Sequence, residues 1–350
     1  MKNKKKPMFW GIFLILLFSL LLTACGSKNE SDVSDGGKDA SGSADKKETY
    51  VIKVGHIAPD EHSYTKGINA FAEAVEEATD GRVKFEIYGN GQLGGERDLI
   101  EQVQLGALDM TLVTAGPVGN FVDKFSVLEM PFLFRDLDHV YKTLDGEIGK
   151  ELTKMLDEAG FKTLGIWENG FRHILNNKKP IKSPEDMKGL KMRTVENDIY
   201  ISTFRALGTD PTPIAFPELY SSFSQGIVDG SDLSYGVTYT TKMHEVQKYL
   251  SEVGIYYAAA PLLMNKDFFD SLPSDIQQVL VEKGEEFKHI QRKMNQEMEE
   301  QYKEELKKSG VEILEKDQVD IAKFEKAVES VYQEQKDRFG DLIERIRAVQ

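Results

Sequence analysis

From Tyr50 to Thr114 the hydrophobic period changes repeatedly, and few folds accept the resulting order. Tyr50–Gly55 reads as a strand. Ile68, Phe71, Ala72 and Val75 then share one helical face until Asp80-Gly81 stops the helix. Val83, Phe85 and Ile87 alternate with Arg82, Lys84 and Glu86, the pattern of a second strand. After the glycine-rich turn Gly89–Gly95 a helix runs to about Leu105, and Met110–Thr114 is a short apolar strand. Strand, helix, strand, helix, strand predicts an α/β domain with a largely parallel sheet.

The pattern restarts downstream. Lys162–Trp167, Arg172–Leu175 and Leu190–Val195 read as strands, with helices at about Asn197–Leu207 and Pro217–Gln225 and another strand or strand pair at Tyr256–Met264. Pro273-Ser274-Asp275-Ile276-Gln277 opens a helix with Ser274 and Gln277 spaced as a capping box. That helix extends to about Lys308, long enough to span two domains. A mostly charged helical tail covers Val319–Val349. Two α/β lobes crossed by one long helix enclose a cleft, a preferred place for a ligand and a natural hinge.

The N-terminus predicts export. Lys2, Lys4, Lys5 and Lys6 precede an apolar run from Met8 to Leu22, too short for a comfortable membrane span. Leu22-Thr23-Ala24-Cys25-Gly26 resembles the lipobox of bacterial lipoproteins, which would make Cys25 the lipidated first residue after removal of 1–24; the other reading is an uncleaved anchor. Cys25 is the only cysteine, so the remainder has no disulfide framework, thiol nucleophile or cysteine metal cluster. Residues 25–47, rich in Ser, Gly, Asp and Lys, read as a flexible tether that leaves about 300 residues to fold. The formal charge is −14, and loss of the four signal lysines takes it near −18. Such a surface repels nucleic acid. It also opposes acidic ligands unless local positive groups overcome it.

Signatures of catalysis are missing: no His-Glu-x-x-His, no Gly-x-Ser-x-Gly, no phosphate-binding loop and no paired histidines at ligand spacing. No catalytic residue, cofactor or metal is expected. His56, at a strand end, could face the cleft or be structural. Two arginines stand out. Phe171-Arg172-His173-Ile174-Leu175 and Leu190-Lys191-Met192-Arg193-Thr194-Val195 each place a guanidinium inside an apolar run, where it needs a partner. Its planar fork fits a ligand carboxylate, and equally an Asp or Glu of the protein.

At these residues the chain resembles the solute-binding proteins of tripartite ATP-independent periplasmic (TRAP) transporters, of the dicarboxylate-binding type. The resemblance is carried in order by Leu93-Gly94-Gly95-Glu96-Arg97, Gln102-x-x-x-Gly106-Ala107-Leu108-Asp109-Met110, Pro131-Phe132-Leu133-Phe134, Trp167-x-x-Gly170-Phe171-Arg172, and Pro184-Glu185-Asp186-Met187-Lys188-Gly189-Leu190-Lys191-Met192-Arg193. Ala206-Leu207-Gly208-x-x-Pro211-Thr212-Pro213 and Gly226-Ile227-Val228-Asp229-Gly230 complete it. It implies a two-lobed, periplasmic-binding-protein-like fold of the class II type, with a central cleft, hinge strands and a domain-spanning helix. It also implies capture of an organic acid, a C4-dicarboxylate or sugar acid, for delivery to an ion-driven TRAP permease. Arg193 matches the arginine that grips the ligand carboxylate, Arg172 a second cleft arginine, and Phe216 an aromatic that packs on the ligand. One departure stands out. Where the family continues Val-Asp-Gly-x-Glu-Asn-Pro, this chain has Val228-Asp229-Gly230-Ser231-Asp232-Leu233-Ser234, so Leu233 takes the place of a ligand-binding Asn unless Ser231 or Ser234 substitutes.

The expected organisation is a signal (1–24), a tether (25–47), one lobe from 48–169 plus 258–297, and another from 170–257 plus 298–350. A monomer, lipid-anchored outside the cell membrane, is the default. An ABC-type binding lipoprotein, a co-receptor reporting to a membrane kinase and a lipid-anchored hydrolase are the competing classes.

Overall fold

The structure, a computed structural model, describes residues 48–350, so Cys25 and the export signal lie outside the described residues. Residues 48–350 form one compact unit. Among the described residues, no helix is long and apolar enough to cross a membrane.

The first half holds β1 (Tyr50–Gly55), α1 (Ser63–Ala78), β2 (Val83–Tyr88), α2 (Glu96–Gln104), β3 (Met110–Leu112), α3 (Ala115–Val118), α4 (Leu137–Asp145) and α5 (Glu147–Glu158). Next come β4 (Phe161–Asn176), β5 (Lys191–Thr194), α6 (Asp198–Ala206), β6 (Asp210–Pro213), α7 (Leu219–Ser224), β7 (Gly230–Leu233) and α8 (Tyr235–Thr240). The chain closes with β8 (Tyr249–Asn265), α9 (Lys266–Ser271), α10 (Ser274–Lys308), β9 (Glu312–Leu314), α11 (Ile321–Ala327), α12 (Glu329–Phe339) and α13 (Leu342–Ala348).

All these strands join one sheet in the order β2-β1-β3-β8-β4-β7-β5-β6, with β9 paired to β8. The flanks are parallel, β1 with β2 and β3, β5 with β6 and β7. The middle is antiparallel, and there β4 and β8 belong to both flanks. The separate strands expected at Lys162–Trp167 and Arg172–Leu175 are thus one strand, and the one expected at Tyr256–Met264 begins at Tyr249. Register shifts at Glu168/Gly170 and Arg172/Ile174 let the pair bend and continue. Gly170, at φ 102°, sits in the Glu168/Gly170 shift, in a conformation that side chains resist.

Helix α10 ends at Lys308, as its pattern predicts. The Ser274–Gln277 capping box does not form: Pro273 is the N-cap, and Gln277 Nε2 donates to the Leu272 carbonyl at 2.8 Å. Ile276, Leu280 and Phe287 enter the core under β1–β3, whereas Met298, Tyr302 and Leu306 enter the core beside β7 and α7. Each such burial is worth about 1.5–3 kcal/mol, so one helix is anchored to both halves. Between the two sets, Gln291 exchanges hydrogen bonds with the Glu168 backbone, donating at 2.8 Å and accepting at 2.9 Å.

Candidate functional site

Both halves of the sheet contribute to a cavity lined by Arg172, Arg193, Glu96, His62, Asn169 and Phe216, among others. It encloses about 440 Å³ of empty space, its open mouth included. Ile57, Pro59, Val195, Leu233 and Val237 form its apolar wall.

The two arginines, alike in sequence, have different partners. Arg172, on β4, is buried, with Nε 2.5 Å from Asp232 Oδ2 and Nη2 donating to the Asp232 carbonyl at 2.5 Å. Asp232 is on β7, where the register sets it opposite Ile174. Burial works against the Arg172 charge, but the Asp232 carboxylate more than offsets it and raises its pKa. Arg193, on β5, is 3% exposed, and its Nε donates to the Ile214 carbonyl at 2.9 Å. Among the described residues no carboxylate lies within ion-pair distance of it. Burial, with Arg172 adding repulsion, pulls its pKa down to about 10. It remains charged at neutral pH, with Asp232 and Glu96 acting on it only from beyond ion-pair distance.

Glu96 opens α2 and lines the same cavity. Its carboxylate accepts from Thr114 N at 2.6 Å and Thr114 Oγ1 at 2.9 Å. Burial raises its pKa, opposed by those bonds and by Arg193. His62 caps α1: Nδ1 accepts from Tyr64 N at 3.1 Å, so the neutral ring carries its proton on Nε2. Burial lowers its pKa to about 3 and keeps it neutral. Asn169 is fixed by Ser234 Oγ, which donates to its Oδ1 at 3.0 Å and leaves the amide N–H groups available. The buried Tyr64 hydroxyl, close to Asn169, has no partner at hydrogen-bond geometry.

Of the residues singled out in the sequence, Arg193, Arg172 and Phe216 line the cavity, whereas His56 and Ser231 do not. His56 is fully buried against Gly89, where any Cβ would lie 2.9 Å from the imidazole. Ser231 donates to the Arg193 carbonyl at 3.3 Å. Ser234 is taken by Asn169 and the α8 N-cap. Neither serine faces the cavity, and Leu233 presents a hydrocarbon there. Sequence reasoning missed His62, Tyr64, Asn169, Thr114 and Glu96. Glu96 and Asn169 fall inside motif windows, but nothing in their spacing gives them a role.

The family model for bacterial extracellular solute-binding proteins, family 7, matches residues 54–338. The chain belongs to that family. A solute-binding protein of Verminephrobacter eiseniae is 39% identical over 284 residues, covering 81% of this chain and 84% of the relative. Among solved structures, a TRAP periplasmic solute-binding protein of Polaromonas sp. JS666 with bound D-erythronate superposes with a TM-score of 0.84 at 38% identity, covering 86% of this chain and 99% of that one. A counterpart from Sulfitobacter sp. NAS-14.1 with bound β-D-galacturonate gives 0.82 at 32% identity, covering 85% and 99%. The two-lobed fold read from the sequence is the fold of these neighbours, with β4, β8 and α10 shared by both halves.

Proposed function

We propose that this solute-binding protein captures a polyhydroxylated monocarboxylate, a sugar acid of about four to six carbons, and hands it to a TRAP permease. The observation that carries the reading is the division of charge in the cavity. Of the two guanidiniums in the lining, Arg193 has no carboxylate partner among the described residues, so a ligand carboxylate completes it bidentately. Arg172 is already neutralised by Asp232 and acts as a support behind it. A second carboxylate on the ligand would meet Glu96, whereas a ligand hydroxyl can donate to it.

His62 Nε2, the Asn169 amide and the Tyr64 hydroxyl supply further groups for hydroxyls, and Phe216 packs on the carbon chain. Asn169 then provides the amide that Leu233 does not. The D-erythronate and galacturonate of the neighbours are both hydroxylated monocarboxylates, which supports the same class. In a dry cavity the Arg193 charge acts at short range, while the acidic surface is screened beyond about 10 Å.

The machinery suits reversible capture: the lining offers one uncommitted charge and several hydrogen-bonding groups to a ligand. The protein acts outside the membrane as a monomer held by lipid on Cys25, which mass spectrometry of the membrane fraction would detect as a diacylated N-terminus. The ligand class is tested by calorimetric titration with D-erythronate, D-galacturonate, succinate and malate. Micromolar binding, about −8 kcal/mol, is expected for a sugar acid. Tighter binding of either dicarboxylate would overturn the assignment.

A further inference from the structure

A second set of contacts, outside the cavity lining, joins the two halves. At the start of α6 the Asn197 amide donates to the Gly116 carbonyl at 2.9 Å, and the Glu196 carbonyl accepts from Asn120 Nδ2 at 2.6 Å. One turn on, the Tyr200 hydroxyl donates to Glu129 Oε2 at 2.6 Å. Gly116, Asn120 and Glu129 lie in α3 and the segment after it, in the first half. Outside them, Arg338 of α12 bonds Asp123 at 2.7 Å and Asp198 at 2.8 Å, one from each side.

Glu129 differs from the rest of this set. It is fully buried, its Oε1 has no partner, and no cation of the described residues lies within ion-pair distance. The groups facing it are Tyr200 from α6, Arg172 from β4, Asp232 from β7, Glu96 from α2 and Tyr256 from β8. Arg172 is committed to Asp232. A buried carboxylate held by a phenol alone is a poor place for a negative charge. Burial accordingly pushes its pKa up to about 7. Withdrawal of α6 would remove Tyr200 and return the carboxyl to water, where it titrates near 4.3.

We propose that Glu129 is a proton-taking latch: as α6 docks and the cleft closes over its acid, Glu129 takes a proton from solvent, and it releases that proton when the cleft opens. The inference rests on the ligand reading above, because closure is observed through binding. Closure favours the protonated form, so affinity weakens as pH rises from about 4.3 to about 7 and then levels off. Between pH 5.5 and 7.5 the weakening is roughly twentyfold, and at pH 7 about half a proton accompanies each ligand.

The test is calorimetry of the protein with D-erythronate and D-galacturonate at pH 7 and pH 8, in buffers of different ionisation heat. Glu96 and Glu299 also have raised pKa values, so the decisive quantity is the difference between the wild type and Glu129→Gln. The amide keeps the Tyr200 bond and cannot take up a proton, so uptake is expected to fall by about half a proton. Tyr200→Phe is the second variant. It removes the phenol that donates to the carboxylate, raises its pKa further, and should increase uptake at pH 8. Equal uptake in the wild type and Glu129→Gln, or no increase in Tyr200→Phe, overturns the latch alone. No binding heat with either acid overturns the ligand reading, and the latch with it.

Discussion

Replacing Arg193 with methionine should abolish binding and at the same time stabilise the empty protein. The guanidinium is 3% exposed, lacks a carboxylate partner, and has its pKa lowered from 12.5 to about 10. Each pKa unit is about 1.4 kcal/mol, so holding the charge there costs the fold about 3 kcal/mol. The sign follows from the group: a cation with a depressed pKa destabilises the folded state wherever it is charged, which includes pH 7. Methionine fills similar volume without charge but strands the Ile214 carbonyl, a loss of about 1 kcal/mol. The net gain is about 2 kcal/mol, or roughly 4 °C for a chain of this size. Thermal unfolding followed by circular dichroism, with and without saturating D-erythronate, measures both effects. A variant that melts lower than wild type, or one still stabilised by the acid, would refute the reasoning.

Arg172 should respond in the opposite sense. Arg172→Met leaves Asp232 buried and uncompensated and is expected to cost about 3–5 kcal/mol, whereas Arg172→Met with Asp232→Leu recovers most of it; denaturant unfolding of both variants checks this. Glu96→Gln should weaken D-erythronate about tenfold by removing a charged acceptor and improve malate binding, both read by titration. Glu299, half-buried where it accepts from Tyr235 N and Gly236 N, has its pKa raised to about 8 by desolvation. Its contribution to stability is therefore complete below about pH 4.3 and lost as pH rises through about 8. Glu299→Gln should flatten that part of the stability–pH curve, measured by urea unfolding from pH 5 to 9.

The alternation of β1, α1, β2, α2 and β3 was legible because one-sided burial leaves its period in the sequence. Helix α10 was legible for the same reason. Its Gly284 supplies what the pattern cannot show: a Cβ there would lie 2.1 Å from the Leu164 carbonyl, so only glycine lets the helix approach β4. The length of β4 was hidden by its shifts, which place Gly170 where the pattern looks broken. At the site, both arginines could be found as charges in apolar runs, but their roles could not be told apart. The difference is a partner 60 residues away, brought into place by the β4–β7 register. Asn169 was invisible for a similar reason, since its orientation depends on Ser234, 65 residues further along the chain.

The central claim is that Arg193 holds one ligand carboxylate, and a matched pair of ligands tests it most directly. D-Erythronate and erythritol share the hydroxylated carbon chain and differ in the carboxylate. Titrated into the wild type and Arg193→Met, D-erythronate should bind the wild type alone, and erythritol should bind neither. Comparable binding of erythritol, or D-erythronate binding that survives Arg193→Met, would contradict the account.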